Sequence, residues 1–576
     1  MPANKEVWSS KLGVILAVAG SAVGLGNFLR FPGLAAQYGG GAFMIAYFVS
    51  LLVIGIPICW VEWTLGRQGG RHGYHSSPGI FHCLLRNRWG KFLGVIGFIV
   101  PVMIYMYYVY IEAWCLGYAV NALAGNLGPG TDFGAFFGTF TGANADGVAV
   151  KFGLRDVGLF VVIVYLLNFF FIYRGITKGI ELVCKIAMPA LVAMALIILL
   201  RVLTLGTPDA AKPEQNIGNG LGFMWNPAKP VVEQLVEDEW KVVETIASPD
   251  LVPAYEARLA TDGTERITQT SALANLANPL LWLAAAGQIF FSLSVGFGVI
   301  ITYASYMKRN DDVVLSGLTA TSANEFCEVA LGGLITVPAA FVFLGAAGVI
   351  GQGTFGLGFN VLPEVFALMP AGQIFASIFF VLLFLAAVTS SLSMLQPGIA
   401  FLEEGLAIGR KRAIAILAVI TGFGTLFIWH YSADLKALDT IDFWIGTVML
   451  FVQATILVIL FAWGMGMKQG WALLHEGAEI QAPRIYRFVL RYITPTFLIT
   501  IFVLFLLQNV FGWNYSFAKP EFAPTGYVRD LVGPEANPVA RRSIAFIGAM
   551  ILLTLGLTAI AGRTWAKREA TGSAHR

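Results

Sequence analysis

Uninterrupted apolar runs of about twenty residues, the length that crosses a hydrocarbon core, recur from Leu12 to about Gly562. That recurrence leaves few architectures open. With 57% apolar and 12% charged residues and a mean hydropathy of +0.73, the chain lies outside the range of soluble globular proteins. A membrane barrel is excluded as well. Barrel strands alternate apolar and polar residues, whereas stretches such as the one holding "TILVILFAWGMG" (Thr455–Gly466) stay apolar throughout. A cleaved secretory leader is not implied: the apolar run after Lys5 and Lys11 is too long, and no small-residue cleavage site is followed by polar sequence. The fold class that follows is an all-α polytopic membrane protein of about twelve transmembrane helices. They are expected to start near Leu12, Gly41, Phe92, Val157, Ile180, Leu280, Val313, Gly372, Arg412, Asp442, Phe488 and Ser543.

Basic residues collect in alternate connections: Arg67–Lys91, "YRGITKGIELVCK" (Tyr173–Lys185), "KRN" (Lys308–Asn310), "GRKR" (Gly409–Arg412) and "RIYRFVLR" (Arg484–Arg491). The positive-inside tendency assigns these to the cytoplasm, together with both termini, in the plasma (inner) membrane. The long connections after Asn121 and Gly206 are then external. Residues 1–205 are expected to hold the N-terminal tail and helices one to five, 206–279 a long outer loop, 280–467 helices six to ten, and 468–576 helices eleven and twelve with a cytoplasmic tail. In the outer loop, Pro227 to Asn278 is acidic, and its two short amphipathic runs suggest surface helices. His72, His75 and His82 offer no closed ligand set and read as part of a solvated basic loop. The five cysteines occur singly, as buried thiols do.

Two of the apolar spans contain what a stable membrane helix avoids. "SAVGLGNFLRFP" (Ser21–Pro32) carries glycines, an asparagine and an arginine, and "GQIFFSLSVGFGVIITYASY" (Gly287–Tyr306) is punctuated by Ser292, Ser294, Gly296 and Gly298. A glycine costs a helix interior about 1 kcal/mol against alanine, so Gly24 and Gly26 mark a place to unwind. Unwinding frees the carbonyls of Gly20, Ala22 and Val23 and the amides near Leu25 and Gly26. Free backbone groups are tolerated at membrane depth only where they line a cavity or bind something. Breaks in the first and sixth helices suit a 5+5 inverted repeat, with carbonyl ends for cations and amide ends for carboxylates. "GLGNFL" is not a dinucleotide fingerprint, because the third glycine and the following acidic residue are missing. Close packing at Gly20 and Gly24 is compatible with unwinding but does not account for Asn27.

These segments, with "YYVYIEAW" (Tyr107–Trp114), "VTSSLSMLQP" (Val388–Pro397) and "DFWIGT" (Asp442–Thr447), resemble the neurotransmitter:sodium symporters, most of all their bacterial amino-acid transporter branch. The resemblance runs from Trp8 through the eleventh helix. It implies sodium-coupled uptake of a small, neutral or hydrophobic α-amino acid by alternating access, with two sodium sites. The first would use the Ala22 carbonyl and the side chains of Asn27, Ser292 and Asn324, the family often having threonine at the Ser292 position. The second would use the carbonyls of Gly20, Val23 and Ala386 with the hydroxyls of Thr389 and Ser390. Neutral oxygens of this kind suit a hard monovalent ion. The Leu25 and Gly26 amides and the Tyr108 hydroxyl would hold the substrate carboxylate, and the carbonyls of Ala22, Phe291 and Ser292 its ammonium. Ile104, Phe291, Ser294, Phe297, Ser390 and Met394 would enclose the side chain. Monoamine carriers of the family have an aspartate at the Gly24 position, so glycine there implies a substrate that brings its own carboxylate.

By the same resemblance, Arg30 and Asp442 form an external gate above Tyr108 and Phe291, and Lys5 and Glu404 an internal one supported by Trp8, Ser305, Tyr306 and Gln396. Lysine at residue 5 lacks the bidentate fork of the family's usual arginine. Chloride-requiring members bind the anion near the positions of Tyr47, Gln288, Ser292 and Asn324, with a serine where this chain has Glu328. A fixed carboxylate there would replace the anion and remove the chloride requirement, with a proton as its partner on the return step. Intramembrane Glu62 and Glu112 read as buried partners for helix ends. The implied partners are an amino acid, sodium and the lipid bilayer, with no nucleic acid; a homodimer is left open. A receptor on the same scaffold is the alternative. An enzyme is not, since no nucleophile, base and metal set converges at one depth.

Overall fold

The computed structural model describes residues 8–85, 87, 89–236, 239–246, 251–259, 264–346, 348–513, 522–523 and 525–570. Among these, nine helices are long and apolar enough to cross a membrane: Gly41–Arg71, Gly90–Leu123, Ile176–Leu203, Val313–Leu344, Gly372–Leu406, Arg410–His430, Ala433–Gly464, Tyr486–Asn509 and Pro538–Ala570. Lys11–Ala22 and Gly26–Gln37 form a tenth span bent by 49°, and the apolar helices Val157–Tyr173 and Pro279–Ser292 fill the fourth and sixth places. The helices thus stand where the hydropathy puts them, with the first and sixth broken.

The third helix (Gly90–Leu123) and the eighth (Gly372–Leu406) lie side by side at the centre, with 83% and 78% of their most apolar windows buried; the twelfth (Pro538–Ala570), at 28%, is peripheral. Lipid tails are as apolar as leucine, so close packing and buried polar contacts hold such a bundle together rather than exclusion of water. Glycines make the closest approaches. A Cβ on Gly332 would collide with the Asn27 carbonyl, and one on Gly298 with the Gly97 carbonyl, so the seventh helix fits against the first and the sixth against the third only because both are glycine.

The chain between the fifth and sixth helices departs from the expected surface helices. Three strands, β1 (Pro230–Val236), β2 (Glu239–Thr245) and β3 (Glu265–Gln269), form an antiparallel sheet in the order β2-β1-β3. Val231 pairs with Thr245 on one side and Thr268 on the other. An ion pair of 2.8 Å joins Arg266 to its register partner Glu233. The run "PVVEQLV" holds three β-branched valines, which suit a strand. Among the described residues of this connection, helix is found in Ile217–Trp225 before the sheet and in the short turns Val252–Glu256 and Ala272–Leu276. Val231 and Val232 are buried, so the sheet is seated on the bundle.

Candidate functional site

The two breaks face each other. In the sixth helix, Leu293–Gly298 are non-helical, with positive φ at Ser294 (52°), Gly296 (81°) and Gly298 (78°). A left-handed serine costs roughly 1–2 kcal/mol and needs support. Ser294 has it: its hydroxyl donates to the Ser21 carbonyl at 2.9 Å and ties one break to the other. The freed Gly296 amide donates to the Glu62 carboxylate, so Glu62 serves broken backbone as expected. Glu112 does not. Its carboxylate accepts from the Asn168 side chain at 3.0 Å, between the third and fourth helices, rather than from a helix end.

In the first helix the Gly24 amide donates to Asn27 Oδ1 at 2.8 Å and starts the second half-helix there. Gly24 has no positive φ; its role is space, since a Cβ would lie 3.0 Å from the Tyr108 hydroxyl and 3.2 Å from Ser390 Oγ. The Ser390 hydroxyl reaches the carbonyls of Gly20 and Ser21 at 3.3 Å and that of Ala386 at 3.1 Å. Thr389 bonds back to Ala386 at 3.0 Å and packs against Gly20. The oxygens of Gly20, Ala386, Thr389 and Ser390 are therefore neighbours across the first and eighth helices.

Between the breaks lies a cavity of about 20 Å³. Ala22, Leu25, Gly26, Tyr108, Phe291, Ser292, Ser294, Phe297, Ser390 and Met394 all line it, with Ser21, Gly24 and Asn27. Ile104 does not: it is buried in the third helix without reaching the cavity. Above, the Arg30 guanidinium covers the Phe291 ring at 4.8 Å. Among the described residues Arg30 and Asp442 are not ion-paired; Asp442 instead accepts from Tyr107 at 2.5 Å.

Beside the cavity, Glu328 gathers neutral donors. Gln288 donates at 2.6 Å, Asn27 at 3.2 Å and Asn324 at 3.3 Å, and Ser292 at closer range. Asn27 also donates to Asn324 Oδ1 at 2.9 Å, and Asn324 to Ser292 Oγ at 2.7 Å. Tyr47 stands at the edge of this group, where it interacts with Glu328. Its hydroxyl donates to Glu325 at 2.8 Å, and Glu325, one turn before Glu328, is absent from the site residues expected above. Its signal was the pair of acids in "EFCE" (Glu325–Glu328), since a carboxylate inside a span is rare unless it has work to do.

At the opposite end Trp8 donates to the Tyr303 carbonyl at 3.1 Å, Tyr306 stacks on His75 with centroids 4.5 Å apart, and Gln396 donates to the Tyr306 hydroxyl at 3.3 Å. Glu404 accepts from the His75 and Ser76 amides at 2.6 and 3.0 Å, and Ser305 meets the His75 ring at 3.0 Å. Lys5 lies outside the described residues. The three histidines have separate partners, Gln68 for His72, Tyr306 and Ser305 for His75, and Glu569 for His82 at 3.3 Å.

Residues 5–132 and 260–526 match the model of the sodium:neurotransmitter symporter family. A sodium-dependent transporter of Methanocaldococcus jannaschii is 28% identical over 546 residues, 91% of this chain and 94% of that protein. The sodium-dependent dopamine transporter of Bos taurus is 25% identical over 552 residues, 87% and 69% of the two chains. The crystal structure of MhsT in complex with L-phenylalanine aligns with a TM-score of 0.66 and 27% identity, covering 87% of this chain and 99% of that one.

Proposed function

Since this chain belongs to the sodium:neurotransmitter symporter family, we propose that it couples the uptake of a small neutral or hydrophobic α-amino acid to two sodium ions by alternating access. The family is one of transporters and not of enzymes. The observation that carries the reading is the junction of the two broken helices at one cavity, where half-helix ends of opposite polarity meet. The half-helix Gly26–Gln37 begins beside the Leu25 and Gly26 amides and suits a carboxylate; Lys11–Ala22 and Pro279–Ser292 end there and suit a cation. An α-amino acid carries both groups. Gly24 leaves no side-chain carboxylate in the pocket, and Phe291, Phe297 and Met394 give it an apolar end. The relative MhsT was crystallised with L-phenylalanine, which fits the same substrate class.

One sodium would sit among Ala22, Asn27, Ser292 and Asn324, next to Glu328; the other among Gly20, Val23, Ala386, Thr389 and Ser390. Asn27 Oδ1 and Asn324 Oδ1 now accept from Gly24 and Asn27, so an arriving ion would replace those donors as their partner. Among the described residues Glu328 has donors but no basic side chain bonded to it, and its negative charge would be balanced by the sodium ion. A mobile chloride would then be unnecessary. Arg30 over Phe291 would close the pocket from the side of the sheet, and the basic connections would face the cytoplasm.

The test is uptake of an amino-acid mixture into liposomes under a sodium gradient against an equal potassium gradient, in chloride-free buffer. Sodium-dependent accumulation is expected. Asn27→Ala should weaken sodium dependence and substrate affinity together, by about 5- to 150-fold if the sites are coupled as in typical allosteric pairs. Wild-type accumulation that ignores sodium, or requires chloride, would overturn the corresponding part of the reading.

A further inference from the structure

A second cavity, of about 300 Å³, lies beneath the sheet, away from the junction of the broken helices. Its walls come from the turn after the first helix (Tyr38), from Phe223, from the strand ends (Thr245 and Thr270) and from the residues leading into the sixth helix (Asn275). Lys229 opens into it. This side chain is only 8% exposed, yet among the described residues its ammonium has no hydrogen-bond acceptor and no ion pair. Its close partner is the face of Phe223, 3.8 Å from Nζ to the ring centroid. The Lys229 backbone is pinned on both sides by Thr270, whose hydroxyl accepts from its amide at 2.9 Å and whose amide donates to its carbonyl at 2.8 Å.

An ammonium held at the wall of a cavity has given up part of its hydration, and a ring face replaces only part of that loss. Burial lowers the Lys229 pKa to about 8, so the amine is still largely charged near neutrality and would gain from an anion beside it. The rest of the wall selects which anion. Among the described residues no carboxylate lines the cavity, and its polar groups besides Lys229 are neutral hydroxyls and amides able to donate or accept. One positive charge balances a monoanion and leaves half of a dianion unbalanced. The space exceeds what a bare halide needs, and apolar Phe223, Val231, Leu281 and Ile350 offer contact to carbon. Lys229 also falls outside the two segments that match the family model.

We propose that this cavity binds a small organic monocarboxylate, its carboxylate held by the Lys229 ammonium and its carbon end lying against the apolar wall. An occupant would touch both the end of the first helix and the head of the sixth, which the sheet caps.

Acetate is the probe. Transverse relaxation of its methyl proton signal, titrated over the purified full-length protein in detergent, reports weak binding directly. The difference between wild type and Lys229→Met separates this cavity from the central site. We expect saturable excess relaxation that is lost in Lys229→Met, kept in Lys229→Arg, and lost in the wild type as pH rises from about 7 to about 10, where a lysine amine becomes neutral. Equal relaxation in wild type and Lys229→Met would overturn the proposal. So would saturable broadening of the chloride-35 signal that depends on Lys229 and that acetate does not compete away, because the site would then take a halide. Should Lys229→Met fail to fold, the wild-type pH profile decides: acetate binding unchanged to pH 10 excludes the amine as its holder.

Discussion

Single residues at the breaks are chosen for what they leave out as much as for what they supply. Gly24 keeps a Cβ away from the Tyr108 and Ser390 hydroxyls, and Ser294 accepts a left-handed backbone in return for a bond to Ser21. Glu328 sets a carboxyl group among four neutral donors, and the proposed role makes it a fixed negative charge. Replacing it by serine removes that charge and keeps a hydroxyl, so Glu328→Ser is expected to lose about tenfold or more of sodium-driven uptake in chloride-free buffer, given the cost of an unbalanced buried ion. Added external chloride should restore it; uptake that neither falls nor responds to chloride would remove Glu328 from the proposed charge balance. Most of the cavity lining was legible in the sequence, because those residues are the breaks themselves or occupy motif positions fixed relative to them. Ile104 was not, since a buried helix that is apolar all round carries no stripe from which its rotation can be read.

At the scale of elements, the broken sixth helix depends on the third and second. Gly298 lies against the Gly97 carbonyl at φ 78°, and the Gly296 amide is taken up by Glu62. A methyl group at residue 298 meets both the left-handed penalty and a backbone collision. Gly298→Ala is therefore expected to destabilise the bundle by several kcal/mol, seen as a lower melting temperature of the purified protein or as failure to accumulate. A melting curve that overlays the wild type would mean that the sixth helix does not need this contact. The sheet shows the opposite limit of sequence reading. Its strands are too short for a local pattern to place them in a sheet, and the third strand joins the first through residues thirty or more apart, as Glu233 with Arg266.

Across the whole molecule, charge is placed where the spans end. At one end the second helix, the 308–312 turn and the segment before the eleventh helix are tied through Glu476, which accepts from Arg71 at 2.6 Å and Arg309 at 3.1 Å, while Arg67 holds the Glu476 carbonyl at 2.7 Å. The Arg71 hydrogen bond, with Arg309 beside it, holds the Glu476 carboxyl below the usual carboxylate range. A folded pKa below the unfolded one stabilises the fold above the ordinary carboxylate pKa, and that contribution disappears as pH falls through the folded value. Glu476→Gln should accordingly melt below the wild type at neutral pH, with the difference closing on acidification; a gap that does not change with pH would assign the effect to packing instead. By itself the sequence determined the number and place of the spans, the two breaks and the family, because lipid forbids unpaired backbone and each exception must be written locally in glycine, serine or asparagine. Tertiary structure alone decided that Tyr47 meets Glu325, that Arg30 rests on Phe291 rather than pairing with Asp442, and that Lys229 faces a cavity under a sheet. Those contacts depend on the rotation and depth of each helix, which all its neighbours set together and no local pattern records.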